Sequence, residues 1–158
     1  MRVAILTVSD SVSRGTSEDR SGPALLERCN ALGWEVVSHG LSADDRPWIE
    51  GFLKTVADSR AAELILTTGG TGLGPRDVTP EATMNVAERL IPGFAEQMRS
   101  EGLKKTPRAI MSRAVAGIRG TTIIINLPGS PKGAVESLDA IASLLPHALE
   151  VLRGHHHG

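Results

Sequence analysis

Residues 67–82 have the sequence TTGGTGLGPRDVTPEA, and this segment indicates the class of fold and the position of a site. It follows the short apolar run Glu63–Leu66, which is typical of a buried strand. Thr79 and Pro80 suit the N-cap and the first position of a helix. Between strand and helix, four glycines fall within six positions: Gly69, Gly70, Gly72 and Gly74. Because glycine tolerates positive φ and a close approach of the backbone, amide groups in such a loop can converge on an anion.

Arg76 and Asp77 lie inside this glycine loop and add a charge of each sign. Arginine suits a phosphate, whereas a carboxylate beside a phosphate is repulsive unless a cation lies between them. Mg²⁺ is commonly bound by one or two carboxylates together with phosphate oxygens. The segment therefore predicts a metal–phosphate site, and the alternative is a glycine-rich turn that binds no ligand.

Two common phosphate-binding patterns do not match the loop. The dinucleotide pattern G-x-G-x-x-G, counted from Gly70, ends on Pro75. No Gly-Lys-Ser or Gly-Lys-Thr closes the loop as a P-loop requires. The acidic residue that would bind a ribose about 20 positions later is also missing from its proper context. A nicotinamide-dependent oxidoreductase is therefore not favoured.

The composition is that of an ordinary globular protein, with 158 residues of which 41% are hydrophobic and 22% charged. The net charge is −1 and the only basic run is Lys104–Lys105, so neither nucleic acid nor a membrane is an expected partner. A single cysteine, Cys29, excludes a disulfide framework. No apolar run approaches the roughly 20 residues of a membrane span, and no signal peptide is evident. We expect a cytoplasmic protein.

We expect one domain over residues 1–153, followed by a His-rich tail over residues 154–158. Three adjacent histidines could bind a metal. A frayed terminus or a tag remnant is the other interpretation of the tail.

Segments typical of strands and helices alternate along the chain. Strands are predicted over residues 3–8, 34–41, 63–66, 114–118 and 121–127, with a tight turn between the last two. Helices are predicted from Pro23 to Gly33, 47 to 59, 80 to 91, 94 to 102 and from Pro131 onward, where Pro146 kinks or restarts the last one. Residues 106–112 are a loop or a short helix. The alternation predicts an α/β fold, a three-layer α/β/α arrangement with a mostly parallel sheet.

Polar loops follow three of the predicted strands, beginning at residues 9, 69 and 126. The carboxyl ends of parallel strands lie along one edge of the sheet, which is where α/β folds bind ligands. The turn Ser42–Asp45 should join this edge. The sequence therefore predicts one site built from four loops.

Taken together, the motifs resemble the molybdopterin adenylyltransferase family, which includes the MogA-like enzymes and the G domain of gephyrin. The matching segments, in chain order, are VSDSVSRG, DRSGPAL, TTGGTGLGPRDVTPEAT, GFAEQMR, TPRAIMSRAVAGIRG and NLPGSPKG. They span nearly the whole chain. A related branch, the MoaB-like proteins, shares the glycine loop and SRAVAG, but PRDVTPE and NLPGSPKG are more similar to the adenylyltransferase branch.

The resemblance implies a reaction in which MgATP adenylylates molybdopterin and releases pyrophosphate. It also implies a homotrimer with one site on each subunit, and a downstream molybdenum-insertion protein as a partner. The alternative is a non-catalytic MoaB-like protein that binds a pterin.

Asp77 matches the family's catalytic aspartate, and Asp44 matches an acidic position before the second long helix. The resemblance implies that both carboxylates hold Mg²⁺ against the triphosphate. The alternative for Asp77 is a turn-forming role. For Asp44 it is a helix cap, and Asp45 could be the aligned residue instead.

The resemblance also implies a set of substrate-binding residues: Asp10, Ser21, Gly69, Gly70, Thr71, Gly72, Ser112, Arg113, Asn126, Pro128, Gly129 and Ser130. We expect the 69–72 loop and Arg113 to contact the pterin, and residues 126–130 to contact the nucleotide. Asp10 and Ser21, with Asp19 between them, could instead form a solvated turn, and Arg113 could pair with a surface acid. Lys132 is a phosphate ligand or an ordinary solvated lysine. His39 is expected to be structural.

Overall fold

The computed structural model describes residues 1–154, so residues 155–158 of the His-rich tail lie outside the described part. The strands are β1 (Arg2–Val8), β2 (Glu35–Ser42), β3 (Leu64–Thr68), β4 (Arg89–Leu90), β5 (Ala116–Arg119) and β6 (Thr122–Leu127). Among the described residues these form one six-stranded sheet in the order β2-β1-β3-β6-β5-β4. The first four strands of that order run parallel. Strand β5 runs antiparallel to β6, and the edge strand β4 runs antiparallel to β5.

The helices are α1 (Asp10–Ser13), α2 (Ser21–Ala31), α3 (Arg46–Asp58), α4 (Thr79–Val86), α5 (Pro92–Leu103), α6 (Pro131–Asp139) and α7 (Leu145–Leu152). Two short 3₁₀ helices span Pro107–Met111 and Ala142–Leu144. Within residues 1–154, no helix combines the length and apolar character that crossing a membrane requires.

Apolar side chains alternate between the two faces of the sheet. In β6, Ile123 and Ile125 pack in one core with residues of α2, α5, α6 and α7. Ile124, between them, packs in a second core with residues of α3 and α4. All three isoleucines are buried. Burial on both faces explains the continuous apolar runs of the central strands, and it confirms the predicted three-layer α/β/α fold with a mostly parallel sheet.

The register of the sheet brings the strand ends together. Thr7 pairs with Thr68, and Thr68 pairs with Leu127. Past these pairs, the Gly69 amide donates to the Leu127 carbonyl at 3.1 Å. The Ser9 amide donates to the Ser42 carbonyl at 2.8 Å. The four loops therefore leave the sheet side by side at one edge, as the sequence predicted.

The predicted helix over residues 80–91 is wrong in its second half. Helix α4 ends at Val86, and Ala87 already has extended dihedral angles. The Glu88 and Ile91 amides donate to carbonyls of β5 at 2.7 and 2.8 Å, which makes β4 an edge strand. A Cβ on Gly117 would lie 2.7 Å from the Ala87 Cβ, so glycine is what allows the chain to pass this close. Pairing with a strand that is distant in sequence thus overrides the local preference for helix.

Helix starts also differ from the predictions at four places. Helix α3 begins at Arg46, one residue before its predicted start. Helix α2 begins at Ser21 rather than Pro23, because the Asp19 carboxylate accepts from the Gly22 amide at 3.0 Å and supports an earlier turn. Helix α5 begins at Pro92, so this proline starts the helix instead of separating two helices. Thr79 is the first helical residue of α4 rather than its N-cap.

Two loop predictions are refined by the structure. Residues 9–22, predicted as a continuous loop, contain α1 with Ser9 as its N-cap. Residues 106–112 form the short 3₁₀ helix that was one of the two alternatives. The helix predicted from Pro131 onward ends at Asp139 as α6, and a separate helix, α7, begins at Leu145 beside Pro146.

Cys29 is a buried free thiol whose burial raises its pKa to about 11.

Candidate functional site

Two cavities lie at the carboxyl edge of the sheet, with volumes of about 500 Å³ and about 390 Å³. Gly70, Asp77 and Gly129 line both of them. The larger cavity extends toward α5, α6 and the 3₁₀ helix, and the smaller extends toward β1, α1 and the start of α2. The glycine loop therefore stands at the junction of two adjoining compartments.

The structure brings most of the predicted site residues to these cavities. Those on the larger cavity, besides the shared ones, are Thr71, Gly72, Ser112, Asn126, Pro128 and Ser130. Those on the smaller cavity are Ser21, Asp44 and Gly69. Asp10 and Arg113, although described, border neither cavity. Residues of the 69–72 loop and of 126–130 share the larger cavity, so the expected division of ligands between these two loops has no geometric basis.

Glycine is required at two positions of the loop. Gly69 has φ +102°, and a Cβ there would overlap the Val8 carbonyl oxygen. Gly70 has φ +69°, and a Cβ would overlap Thr79 Oγ1 and lie 3.0 Å from Asp44 Oδ1. The Thr79 hydroxyl donates to the Gly69 carbonyl at 2.9 Å. At these two positions the loop is therefore packed against β1, α4 and Asp44, with no room for a side chain.

Asp44 is bound to Asp10 through two reciprocal hydrogen bonds. The Asp10 amide donates to Asp44 Oδ2 at 3.0 Å, and the Asp44 amide donates to Asp10 Oδ1 at 2.9 Å. Asp44 Oδ1 is buried and has no hydrogen-bond partner within the described chain. Burial raises the pKa of Asp44, and the charges of Asp10 and Asp77 raise it further. A buried carboxylate oxygen without a partner is costly, and a bound cation would satisfy it.

The neighbouring residue, Asp45, has a different role. Its carboxylate accepts from the Trp48 amide at 3.2 Å and caps α3. The alternative in which Asp44 is the helix cap is therefore wrong. The structure assigns the cap to Asp45 and leaves Asp44 facing the smaller cavity.

Asp77 lies over the glycine loop. Its Oδ2 accepts from the Gly74 amide at 2.9 Å, so the turn-forming alternative for this residue is present. A Cβ on Gly72 would lie 3.0 Å from the same oxygen. Since a carboxylate has two oxygens, the turn leaves acceptor capacity for a cation at the junction of the cavities.

Arg76 reaches from the loop to α1. Its guanidinium donates to both carboxylate oxygens of Asp10, at 2.9 and 3.0 Å. This bidentate pair lowers the pKa of Asp10. Asp10 therefore joins the glycine loop to the backbone of Asp44.

Asp19 belongs to a polar cluster at the edge of the smaller cavity. Its Oδ2 accepts from the Thr7 hydroxyl at 2.9 Å. His39 Nε2 lies 3.0 Å from Thr7 Oγ1 and 3.3 Å from Asp19 Oδ2. The contacts agree with a structural role for His39, which connects β2 to β1 and to the start of α2.

Three side chains that were predicted to bind ligands form hydrogen bonds within the protein. The Asn126 amide donates to Thr67 and Thr83 hydroxyls at 3.0 and 2.9 Å, and its oxygen accepts from the Val115 amide at 3.2 Å. The Ser130 hydroxyl accepts from the Gly133 amide and caps α6. The Ser112 hydroxyl accepts from the Ala114 amide at 3.3 Å. Because Asn126 is fully buried in this network, its side chain supports the cavity wall.

Arg113 forms an ion pair with an acidic side chain, which was the alternative to binding a substrate. Its guanidinium donates to both oxygens of Glu81 on α4, at 2.7 and 3.2 Å. Glu81 was not singled out from the sequence, although it lies in the same PRDVTPEAT segment as Asp77. Lys132 is 88% exposed and 3.9 Å from Glu136, which matches the solvated-lysine alternative.

Comparisons with known proteins agree with this architecture. Residues 4–147 match the family model described as "Probable molybdopterin binding domain". The molybdopterin adenylyltransferase of Helicobacter pylori strain J99 is 40% identical over 99% of this chain and 90% of its own length. That of Escherichia coli K12 is 42% identical over 89% of this chain and 73% of its own length. The crystal structure of the molybdopterin biosynthesis enzyme MoaB from Thermus thermophilus has 52% identity and a TM-score of 0.91, with 97% of this chain and 96% of that chain covered. The chain therefore belongs to the molybdopterin-binding domain family and has a role in molybdenum cofactor biosynthesis.

Proposed function

We propose that this protein is a molybdopterin adenylyltransferase that uses MgATP and releases pyrophosphate. The observation that carries the proposal is the meeting of two cavities at Gly70, Asp77 and Gly129, with Asp44 beside them. Adenylyl transfer needs two substrates to meet at one phosphate. Curated relatives with about 40% identity over most of this chain are named for the same activity.

The residues at the junction suit a bound Mg²⁺. Among the described residues, no group of three or more His, Cys, Asp or Glu side chains could hold a metal. Two carboxylates, those of Asp44 and Asp77, are the number that Mg²⁺ commonly takes when phosphate oxygens and water complete its shell. The partnerless Asp44 Oδ1 is the atom that a cation would satisfy. When bound, the ion would neutralise charge on the triphosphate.

The protein's own groups hold the substrates in position. Gly70 and Gly72 border the larger cavity, and their lack of a Cβ lets the loop pack against Thr79 and Asp77 at its wall. The loop 128–130 leads into α6, whose N-terminus favours an anion. Positioning two substrates at one phosphate reduces the entropic part of the barrier.

The test is direct. The purified protein is incubated with molybdopterin and MgATP, and adenylylated pterin is separated and measured. Formation of that product with pyrophosphate supports the proposal. Binding of molybdopterin without any product would instead support the MoaB-like pterin-binding alternative. That alternative is kept because the relative with 52% identity bears the MoaB name.

We expect Asp44 and Asp45 to respond oppositely to substitution. Asp45→Ala removes a helix cap and should cost about 1 kcal/mol of unfolding free energy while adenylyl transfer continues. Asp44→Asn should remove the transfer without loss of stability. Burial raises the Asp44 pKa, so ionisation of this carboxyl disfavours folding above its unfolded-state pKa, and removing its charge should not weaken the fold at neutral pH. Urea unfolding and product formation are measured on both variants. The reverse pattern would transfer the metal-binding role to Asp45.

Ligands should sort by cavity rather than by loop. We assign the nucleotide to the larger cavity, which Ser130 at the N-cap of α6 borders, and the pterin to the smaller one. Ser137→Trp would fill part of the larger cavity only, and Val12→Trp part of the smaller only. Calorimetric titration should show the first variant losing ATP affinity and the second losing pterin affinity, each by roughly tenfold or more. Loss of the same ligand in both variants would show that the cavities form one subsite.

We further propose that residues 1–153 act as one molybdopterin-binding domain in a homotrimer that passes its product to a molybdenum-insertion protein. Trp48 is 74% exposed and Leu41 on the edge strand β2 is also exposed, which leaves apolar surface for subunit contacts. Light scattering at micromolar concentration should give three times the monomer mass of 16.7 kDa. A monomer mass would overturn the trimer. The cytoplasmic location stays a prediction.

A further inference from the structure

Arg113 contacts both ends of the segment that carries Asp77. Its Nε donates to the Gly72 carbonyl at 2.8 Å, and its Nη2 donates to the Asp77 carbonyl at 2.8 Å. Its own backbone amide donates to the Thr71 carbonyl at 2.9 Å. The residues between these contacts form the loop in which the Asp77 carboxylate accepts from the Gly74 amide. One side chain therefore closes the loop from outside.

The remaining donors of Arg113 are directed to Glu81, in the first turn of α4. The two residues form a bidentate pair with their side chains each 35% exposed. The pairing raises the pKa of Arg113 and lowers that of Glu81, so both are charged at neutral pH. Glu81, like Arg113, borders neither of the two cavities. The pair connects the segment that follows the 3₁₀ helix to the glycine loop and to α4.

We infer that Arg113 and Glu81 are positioning residues that fix Asp77 at the junction of the cavities. The inference rests on the proposed function in one respect, namely that Asp77 holds the metal–nucleotide complex. The planar fork of arginine satisfies three partners at once in fixed directions. Lysine has a single nitrogen on a flexible stem and cannot reproduce these contacts. This role replaces the direct substrate contact that the sequence suggested for Arg113.

The chain offers a matched control in Arg119. Its guanidinium donates to both oxygens of Asp58, at 2.9 and 3.1 Å, and to the Val86 carbonyl at 3.0 Å. It therefore makes the same kind of bidentate pair plus a backbone contact, but at the far end of α4. Arg119→Lys should show what the loss of such a pair does to the fold alone.

The experiment compares Arg113→Lys, Glu81→Gln and Arg119→Lys with the unmodified protein. Two quantities are measured with ATP present: Mn²⁺ affinity by electron paramagnetic resonance, and hydrogen exchange of the Gly74 amide by NMR. We expect Arg113→Lys to weaken Mn²⁺ binding by roughly tenfold or more and to accelerate Gly74 exchange by a similar factor. Arg119→Lys should change neither quantity by more than about twofold, with similar unfolding temperatures for both lysine variants.

Glu81→Gln keeps the size of the side chain and removes its charge, so it provides the test if Arg113→Lys does not fold. It should give a smaller effect of the same sign on both quantities. Gly74 exchange in the Arg113 and Glu81 variants equal to that in Arg119→Lys would overturn the inference. The exchange measurement requires no turnover. If the unmodified protein makes no adenylylated product while Gly74 exchange still depends on Arg113, the proposed function fails and the positioning role stands.

Discussion

Replacing Asp77 with asparagine is expected to lower the rate of adenylyl transfer by roughly a thousandfold, or about 4 kcal/mol in the barrier. The carboxylate lies at the junction of the two cavities, where its charge would balance a cation held against phosphate oxygens. The asparagine side-chain oxygen can still accept from the Gly74 amide, which donates to Asp77 at 2.9 Å. The turn should therefore persist while the charge is lost.

The measurement is single-turnover formation of adenylylated pterin at several Mg²⁺ concentrations, together with urea unfolding of the same preparation. A matched control is Asp139→Asn, which removes a carboxylate from a surface pair with Arg28 at 2.7 Å, where neither residue borders a cavity. The control should keep its rate within about twofold. If Asp77→Asn also stays within a few-fold of the unmodified rate, Asp77 is a turn residue and the metal-binding role is lost.

Most of the fold could be predicted because the core strands are recognisable from their apolar sequences. Within Val3–Val8 and Ile123–Leu127 every residue except Thr7 and Asn126 is apolar, as burial on both faces of a parallel sheet favours. Strand β4 could not be predicted. It has only two residues, and it exists because the chain near Ala87 can pass Gly117 and donate to carbonyls of β5. That contact depends on residues about thirty positions apart, which local patterns do not report.

The candidate site was predictable in position and less so in the roles of its side chains. The glycine loop and Asp77 were recognisable from residue type and order. Asp44 and Asp45 are adjacent aspartates, so residue type could not show which of them caps α3. The local backbone conformation decides it. Arg113 in the sequence SRAVAG was expected to bind a substrate or to pair with a surface acid, but its partners Gly72, Asp77 and Glu81 lie more than thirty positions away. A donor's partners are a property of the tertiary structure, so residue type alone could not assign them.

Replacing Gly69 with alanine is expected to destabilise the protein strongly, although it adds only one methyl group. Two independent costs combine there. The φ of +102° is strained for an alanine, and the new Cβ would overlap the Val8 carbonyl oxygen. Val8 ends a central strand of the sheet, so neither side of the overlap can move without disturbing the loop or β1. Together these costs should reach roughly 3–5 kcal/mol of unfolding free energy.

Gly33→Ala separates the two costs. Gly33 has φ +79°, and a Cβ there would meet nothing within 4 Å. Its substitution should therefore cost only the strain of positive φ, about 1–2 kcal/mol, and should leave adenylyl transfer unchanged. Urea unfolding of both variants gives the difference between them, which measures the overlap with Val8. The Gly69→Ala substitution should also affect activity. In the unmodified protein the amide of residue 69 donates to the Leu127 carbonyl at 3.1 Å; shifting residue 69 would break this bond and separate the two loops at the junction of the cavities. Product formation should then fall below detection even at temperatures where the variant is folded. Equal losses of stability in the two variants would show that the loop relaxes around a methyl group, and the close packing at Gly69 would not be what holds the junction together.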